Sequence, residues 1–168
     1  MDKIVTIENK KDEKFLRKKT EDFDFKKFSK KEVEELIRKM RTAMRKANGL
    51  GLSANQIGLN LKVFVTEVQT NNATKFYAIF NPRLEKISGG KILFEEGCLS
   101  IPLTYGVVER PDRVVLVGQD KQGKQIKIKA WGLLARVFQH EVDHLNGALF
   151  IDKAKSVHKL NPEETTKS

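Results

Sequence analysis

His140 and His144 stand four residues apart in the run His140-Glu141-Val142-Asp143-His144, and no other feature restricts the fold of this chain as tightly. Two imidazoles at that spacing reach one point only if the backbone between them is helical, because positions i and i+4 of an α-helix lie one turn apart on one face. The flanking residues supply such a helix: Leu133, Leu134, Val137, Phe138 and Leu145 are apolar positions over 133–145, and Asn146-Gly147 stops it. The match to H-E-x-x-H therefore falls in the context that gives it meaning, with Glu141 beside both imidazoles and placed to handle the protons of a water near a shared cation. The alternative is a pair of histidines brought to this spacing by accident, on the surface or in the core.

A catalytic site of the zinc or iron kind needs a third protein ligand and one open position. The chain has a single cysteine, so no internal disulfide can form and Cys98 needs another explanation. Taken alone, a lone cysteine is more often a packing residue than a ligand. Here it sits in Glu95-Glu96-Gly97-Cys98-Leu99-Ser100-Ile101-Pro102, next to a tight glycine turn after a predicted strand, and His158 in the polar tail is a poor competitor. These two points favour Cys98 as the third ligand.

A second segment, Gly49-Leu50-Gly51-Leu52-Ser53-Ala54-Asn55-Gln56, fits the dinucleotide fingerprint G-x-G-x-x-[G/A] on paper. That reading fails because a helix precedes the glycines where a strand is required, and no acidic residue follows about twenty positions later. The glycines are better read as letting backbone approach a ligand, with Gln56 offering a neutral amide donor to a developing oxyanion.

The helix before this segment is the clearest in the chain. Ser29-Lys30-Lys31-Glu32 is a capping-box pattern, and Val33, Leu36, Ile37, Met40 and Met44 follow at spacings of three and four, which predicts an amphipathic helix over 29–47 ended by Gly49 in a left-handed conformation. From 61 to 130 the texture changes to short β-rich runs, at 62–68, 76–80, 91–94, 107–109, 114–117 and 125–129, with Asp120-Lys121-Gln122-Gly123 as a hairpin turn. The expected fold is α+β: antiparallel β-sheets packed around a central helix that carries H-E-x-x-H, preceded by an N-terminal amphipathic helix. With 168 residues and no linker or repeat, the expected organisation is one catalytic domain over 1–152 and a short, polar, flexible tail over 153–168.

No apolar run approaches the length of a membrane span, and Met1-Asp2-Lys3-Ile4-Val5 lacks the apolar stretch of a secretory signal. The expected location is the cytoplasm, or an organelle after processing. The net charge of +10 is concentrated in Lys10-Lys11, Lys18-Lys19, Lys26-Lys27 and Lys30-Lys31. It permits attraction to a polyanion such as RNA, although no aromatic interleaving or recognition motif accompanies the lysines, and solvated helix surfaces explain them as well.

Taken in order, Gly49 to Gln56, Glu96-Gly97-Cys98-Leu99-Ser100 and Gln139-His140-Glu141-Val142-Asp143-His144 closely resemble the three motifs of peptide deformylases. The resemblance runs from the first amphipathic helix to about Phe150 and takes in Glu109-Arg110-Pro111 and Gly132-Leu133-Leu134-Ala135. It implies removal of the formyl group from N-formylmethionine of nascent polypeptides, with Fe2+ as the ion and Ni2+, Co2+ or Zn2+ as substitutes. It implies Cys98, His140 and His144 as metal ligands, Glu141 as the proton shuttle, and the Gln56 amide with the Leu99 backbone N–H as the oxyanion site. Leu50, Gly51, Leu133 and Val137 fall where the family accommodates the methionine side chain and the peptide. The implied partners are N-formylmethionyl nascent peptides and, through the basic surface, the ribosome, with the enzyme acting as a monomer and with no membrane.

Two departures stand out. Many bacterial members carry a longer C-terminal helix after the point matching Asp152, whereas this tail is short and polar. Ser53 stands where alanine is common in the first motif, an exchange expected to have little effect. Two other readings compete: a zinc endopeptidase, which needs a third histidine or glutamate ligand downstream of His144, and a basic RNA-associated protein with a structural metal, which needs a fourth protein ligand.

Overall fold

The computed structural model describes residues 3–69 and 73–161. Its first long helix, α2 (Lys30–Lys46), follows a short α1 (Lys10–Leu16) that the sequence reading did not anticipate. The capping box at the start of α2 is present: Ser29 N–H donates to the Glu32 carboxylate at 2.7 Å, and Glu32 N–H donates to Ser29 Oγ at 3.2 Å. Val33, Met40 and Met44 turn inward against Leu52, Val63 and Val65, and Leu36 and Ile37 pack on the edge of the same cluster. The end of the helix differs from the expectation in one respect. Asn48, not Gly49, takes the left-handed conformation, with φ of 55°. Asparagine is the side chain that tolerates this region best after glycine. Gly49 is needed for another reason, since a Cβ there would lie 2.8 Å from Leu99 Cδ1.

Six antiparallel strands follow among the described residues: β1 (Gly51–Ser53), β2 (Val63–Gln69), β3 (Thr74–Cys98), β4 (Ile101–Gln119), β5 (Gln125–Trp131) and β6 (Ala154–Lys159). They pair in the order β1-β2-β3-β4-β5, and β6 joins β4 off this path. The predicted runs 76–80 and 91–94 are parts of one strand, β3, and 107–109 and 114–117 are parts of β4. Pro82, Gly89-Gly90 and Pro111 lie in the gaps between those runs, at or beside the register shifts Phe80/Arg83 and Ser88/Lys91. Bulges absorb residues that cannot serve a regular ladder and bend the strand instead of ending it. The long β3–β4 ribbon can therefore contact β2 at one end, β5 along its middle and β6 near its turn. The hairpin at 120–123 is as expected, with Gly123 N–H bonded to the Asp120 carbonyl at 3.0 Å and Asp120 Oδ1 accepting from Gln122 and Lys124 N–H groups.

The helix carrying the two histidines is α3 (Gly132–Leu145). Ala135, Phe138, Val142 and Leu145 face Phe64, Ile79, Val114 and Leu116 of the sheet. Burying a ring such as Phe138 completely is worth about 1.5–3 kcal/mol relative to leaving it in water. Distant segments close the C-terminal end of α3: Asn55 Nδ2 donates to the His144 carbonyl at 2.8 Å, and Thr20 N–H to the Leu145 carbonyl at 2.9 Å. This is a central helix, as expected.

The C-terminal expectation needs correction. Residues 154–159, assigned to a flexible tail, form β6, which pairs with β4 from Thr104↔Lys159 to Val108↔Ala154. The close approach depends on Gly106, where a Cβ would meet the Ser156 carbonyl oxygen at 2.8 Å. The rest of that tail, 162–168, lies outside the described residues. Among the described residues no helix is long and apolar enough to cross a membrane.

Candidate metal centre

The central helix holds His140 and His144 on one face, and the turn between β3 and β4 brings Cys98 to them. Cys98 Sγ lies 3.1 Å from His144 Nε2, which in turn lies 3.2 Å from His140 Nε2. The three ligand atoms fall within 4.8 Å of one another. The sulfur and two imidazole nitrogens thus converge on one spot and form a donor set suited to a borderline-soft divalent ion.

What fixes His140 is visible in its neighbours. His140 Nδ1 is 3.0 Å from Glu96 Oε2, so a proton on Nδ1 is held by the carboxylate and Nε2 is left free to face Cys98. Glu96 is itself clamped: Arg110 donates through Nε at 2.6 Å and Nη2 at 2.9 Å, and Arg136 Nη1 donates at 2.7 Å. Arg110 also reaches Asp143 Oδ2 at 2.8 Å, on the same helix as the histidines. Burial alone would push the Glu96 carboxyl up, but the bonds to His140 and Arg110 hold it well below the usual carboxylate range. Burial likewise opposes ionisation of Cys98, yet the neighbouring imidazoles bring its thiol well below the ordinary value. For His140, burial is outweighed by Cys98 and Glu96, which favour positive charge there. The three directions describe one coupled set of opposite charges, in which the thiol and the carboxyl are held ionised by imidazole and guanidinium neighbours and the imidazole is held charged by them in turn.

The other half of the site comes from the segment Gly51 to Gln56. Glu141 is 3% exposed, and burial raises its carboxyl above the ordinary value. Its Oε2 accepts a hydrogen bond from Ser53 Oγ at 2.7 Å. On its other side the backbone of Gly51 comes so close that a Cβ would sit 2.3 Å from Glu141 Oε1. Gln56 is anchored through Oε1, which accepts from Ser53 N–H at 2.9 Å, so its Nε2 faces Ser100 Oγ at 3.1 Å and Cys98 Sγ at 3.6 Å. The backbone behind it is tied by the N-terminal segment, with Val5 N–H on the Gln56 carbonyl at 2.8 Å and Ile7 N–H on the Ser100 carbonyl at 3.0 Å.

A pocket of about 630 Å³ opens over these groups. Leu50, Gly51, Gln56, Cys98, Leu99, Leu133, Val137, His140 and Glu141 all line it, and His144, buried beneath the pocket wall, joins them through Cys98 and His140. Leu50 and Leu133 sit half-exposed at the rim, and Phe94, Tyr105 and Arg136 complete the walls. Sequence reasoning missed Glu96, Arg110, Arg136, Asn55 and Ser53. Glu96 carried a readable signal, an acid two residues before the single cysteine; the arginines did not, because their partner is set by the sheet register.

An α+β fold with H-E-x-x-H on a buried helix, facing a cysteine turn, defines the chain as a metal-dependent hydrolase. The family model described as Polypeptide deformylase matches residues 1–160, and the chain belongs to the peptide deformylase family. It is 39% identical over 133 residues to peptide deformylase 2 of Gloeobacter violaceus, covering 79% of this chain and 71% of that protein. It is 43% identical over 134 residues to a peptide deformylase of Prochlorococcus marinus, covering 79% and 66%. A third relative, peptide deformylase 1 of Streptomyces avermitilis, is 42% identical, and the match spans only 58% of its length. Among solved structures, a probable peptide deformylase from Synechococcus phage S-SSM7 superposes with a TM-score of 0.81 at 42% identity, covering 91% of this chain and 99% of that one. The peptide deformylase of Synechococcus elongatus in complex with actinonin superposes with a TM-score of 0.80 at 34% identity, covering 92% and 79%.

Proposed function

We propose that this site hydrolyses the N-formyl group of N-formylmethionyl peptides, releasing formate and a free amino terminus. The observation that carries the reading is the convergence of Cys98, His140 and His144 on one spot, with Glu141 and Gln56 facing it in the same pocket. Those three residues would hold the ion, Fe2+ by family resemblance with Ni2+, Co2+ or Zn2+ as substitutes; bound there, it supplies the Lewis acidity that makes water a nucleophile near neutral pH.

The chain's own groups do the rest. Glu141 takes the proton from the attacking water and returns it to the departing amine nitrogen as the C–N bond breaks. Its buried, raised carboxyl suits a group that must alternate between the two states. Gln56 Nε2 and the Leu99 N–H donate to the oxygen that gains charge at the tetrahedral stage, an interaction whose loss typically costs about 10²- to 10³-fold in rate. Leu50, Leu133 and Val137, with the Gly51 backbone, give the methionine side chain an apolar wall.

The zinc endopeptidase alternative requires a third histidine or glutamate ligand beyond His144. His158, the downstream histidine, instead stacks on Tyr105 with centroids 6.1 Å apart and approaches Glu95 at 3.5 Å, while the downstream carboxylates Glu163 and Glu164 lie outside the described residues. We place the enzyme in the cytoplasm as a monomer, a reading that rests on the family resemblance. Ribosome docking is supported by the eight paired lysines from Lys10 to Lys31, all exposed.

The test is anaerobic purification with iron or nickel, then assay of formyl-Met-Ala-Ser against its acetylated counterpart and a longer unformylated peptide. Formate released from the first alone is the expected result. A folded, metal-loaded protein that releases none overturns the proposal.

A further inference from the structure

Ser53 was expected to be an inconsequential replacement for alanine, and its surroundings say otherwise. It is fully buried and hydrogen-bonds both Gln56 and Glu141, two residues that line the pocket. Its backbone N–H holds Gln56 Oε1 at 2.9 Å, a bond any residue could make. Its hydroxyl lies 2.7 Å from Glu141 Oε2 and 3.1 Å from the Glu141 backbone carbonyl, and that a hydroxyl alone can do.

We infer that Ser53 is a positioning residue for Glu141, its hydroxyl holding the carboxylate in the orientation that faces the pocket. The inference rests on the deformylase reading only for what Glu141 does, not for where it is held. Three observations carry it. A hydroxyl has one proton, and of its two acceptors the Glu141 carboxyl oxygen is the nearer, which favours the bond to Oε2. Glu141 Oε1 is confined by Gly51, whose missing Cβ leaves just enough room, so the carboxylate is gripped from both sides by one short segment. No other side chain among the described residues is shown donating to the Glu141 carboxylate, so removing the hydroxyl leaves Oε2 without that donor.

The geometry also separates the two groups that Ser53 touches. Ser53→Ala keeps the N–H that orients Gln56 and deletes the hydroxyl that orients Glu141. Because alanine fills less volume than serine, Ser53→Cys serves as the companion variant: it occupies the space with a sulfur that is a weak donor.

The experiment compares wild type, Ser53→Ala and Ser53→Cys for metal content, kcat and KM on formyl-Met-Ala-Ser, and the position of the Glu141 carboxylate in crystals of each. Loss of one orienting hydrogen bond predicts a fall in kcat of about tenfold in both variants. KM and metal content are expected to stay within about twofold, as befits an interaction that acts on the chemical step. The crystals should show the carboxylate turned away from its place or split between two rotamers. The inference is overturned if Ser53→Ala retains wild-type kcat with Glu141 unmoved. It is equally overturned if Ser53→Cys restores full activity, which would make volume the cause, or if activity and metal are lost together. A wild-type protein without deformylase activity would sink the function while leaving the crystallographic comparison able to judge the role of Ser53.

Discussion

At the scale of single residues, the centre separates holding from reacting. Cys98 belongs to the converging donor set, while Glu141, on the helix between the two histidines, lines the same pocket without belonging to that set. Cys98→Ala should therefore lose metal retention, and Glu141→Ala should keep the metal and lose turnover, as metal analysis alongside formate assay would show. Equal metal loss in both would contradict the assigned roles. Glu96 is a third case, since its charge is shared among Arg110, Arg136 and His140. Removing one partner from a buried ionic cluster costs about 3–5 kcal/mol, and Glu96→Gln should fall in that range by denaturant titration at neutral pH. The sign of its pH dependence follows from a folded-state carboxyl held far below the ordinary 4.5. Its stabilisation is complete above that value and is lost as pH falls through the region beneath it. Wild type should therefore destabilise steeply below about pH 4.5, and Glu96→Gln should show a flatter slope there. Among these residues His140, His144 and Glu141 were legible because helical spacing constrains them, and Cys98 because it is the single cysteine, beside a glycine turn in a segment that resembles a deformylase motif. Ser53 was not, because the value of its hydroxyl depends on a carboxylate 88 positions away.

At the scale of elements, the helices were easier to read than the strands. Helices α2 and α3 announce themselves through caps and a 3.6-residue period that belong to local sequence. The β3–β4 ribbon was read as fragments because proline and glycine punctuate it, and only the pairing partner turns those positions into bulges. Strand β6 shows the same dependence more sharply. Ala154-Lys155-Ser156-Val157-His158-Lys159 is polar and mostly exposed, and what lets it dock is Gly106, nearly fifty residues earlier. A side chain at Gly106 would collide with the Ser156 carbonyl, Ala154 Cβ and Phe150 Cε2, all within 3.1 Å. Gly106→Val should displace β6 and cost about 1–3 kcal/mol, with hydrogen exchange at 154–159 losing its protection. Unchanged exchange at those amides would show that the strand docks without the glycine.

At the scale of the whole molecule, three apolar clusters make up the core: one joins α2 to β1 and β2, a second packs α3 on the sheet, and a third gathers Leu149 and Phe150 with Ile101 and Val108. A cation held by Cys98, His140 and His144 would tie together the central helix and the β3–β4 turn, and ligand binding to the folded state alone raises stability. At a free metal concentration one hundred times Kd the gain is about 2.7 kcal/mol, which corresponds to about 5–10 °C in Tm for a chain of this size. Calorimetry with and without a chelator should show that shift, and Cys98→Ala should abolish it.

Because the chain contains one cysteine, and that cysteine sits among the centre's imidazoles, every sulfhydryl in a purified sample reports on the same spot. A brief pulse of an alkylating reagent would tag only molecules whose sulfur is not engaged by an ion. The tagged fraction, counted by intact mass, would then give the proportion of inactive molecules in any preparation, with no substrate added.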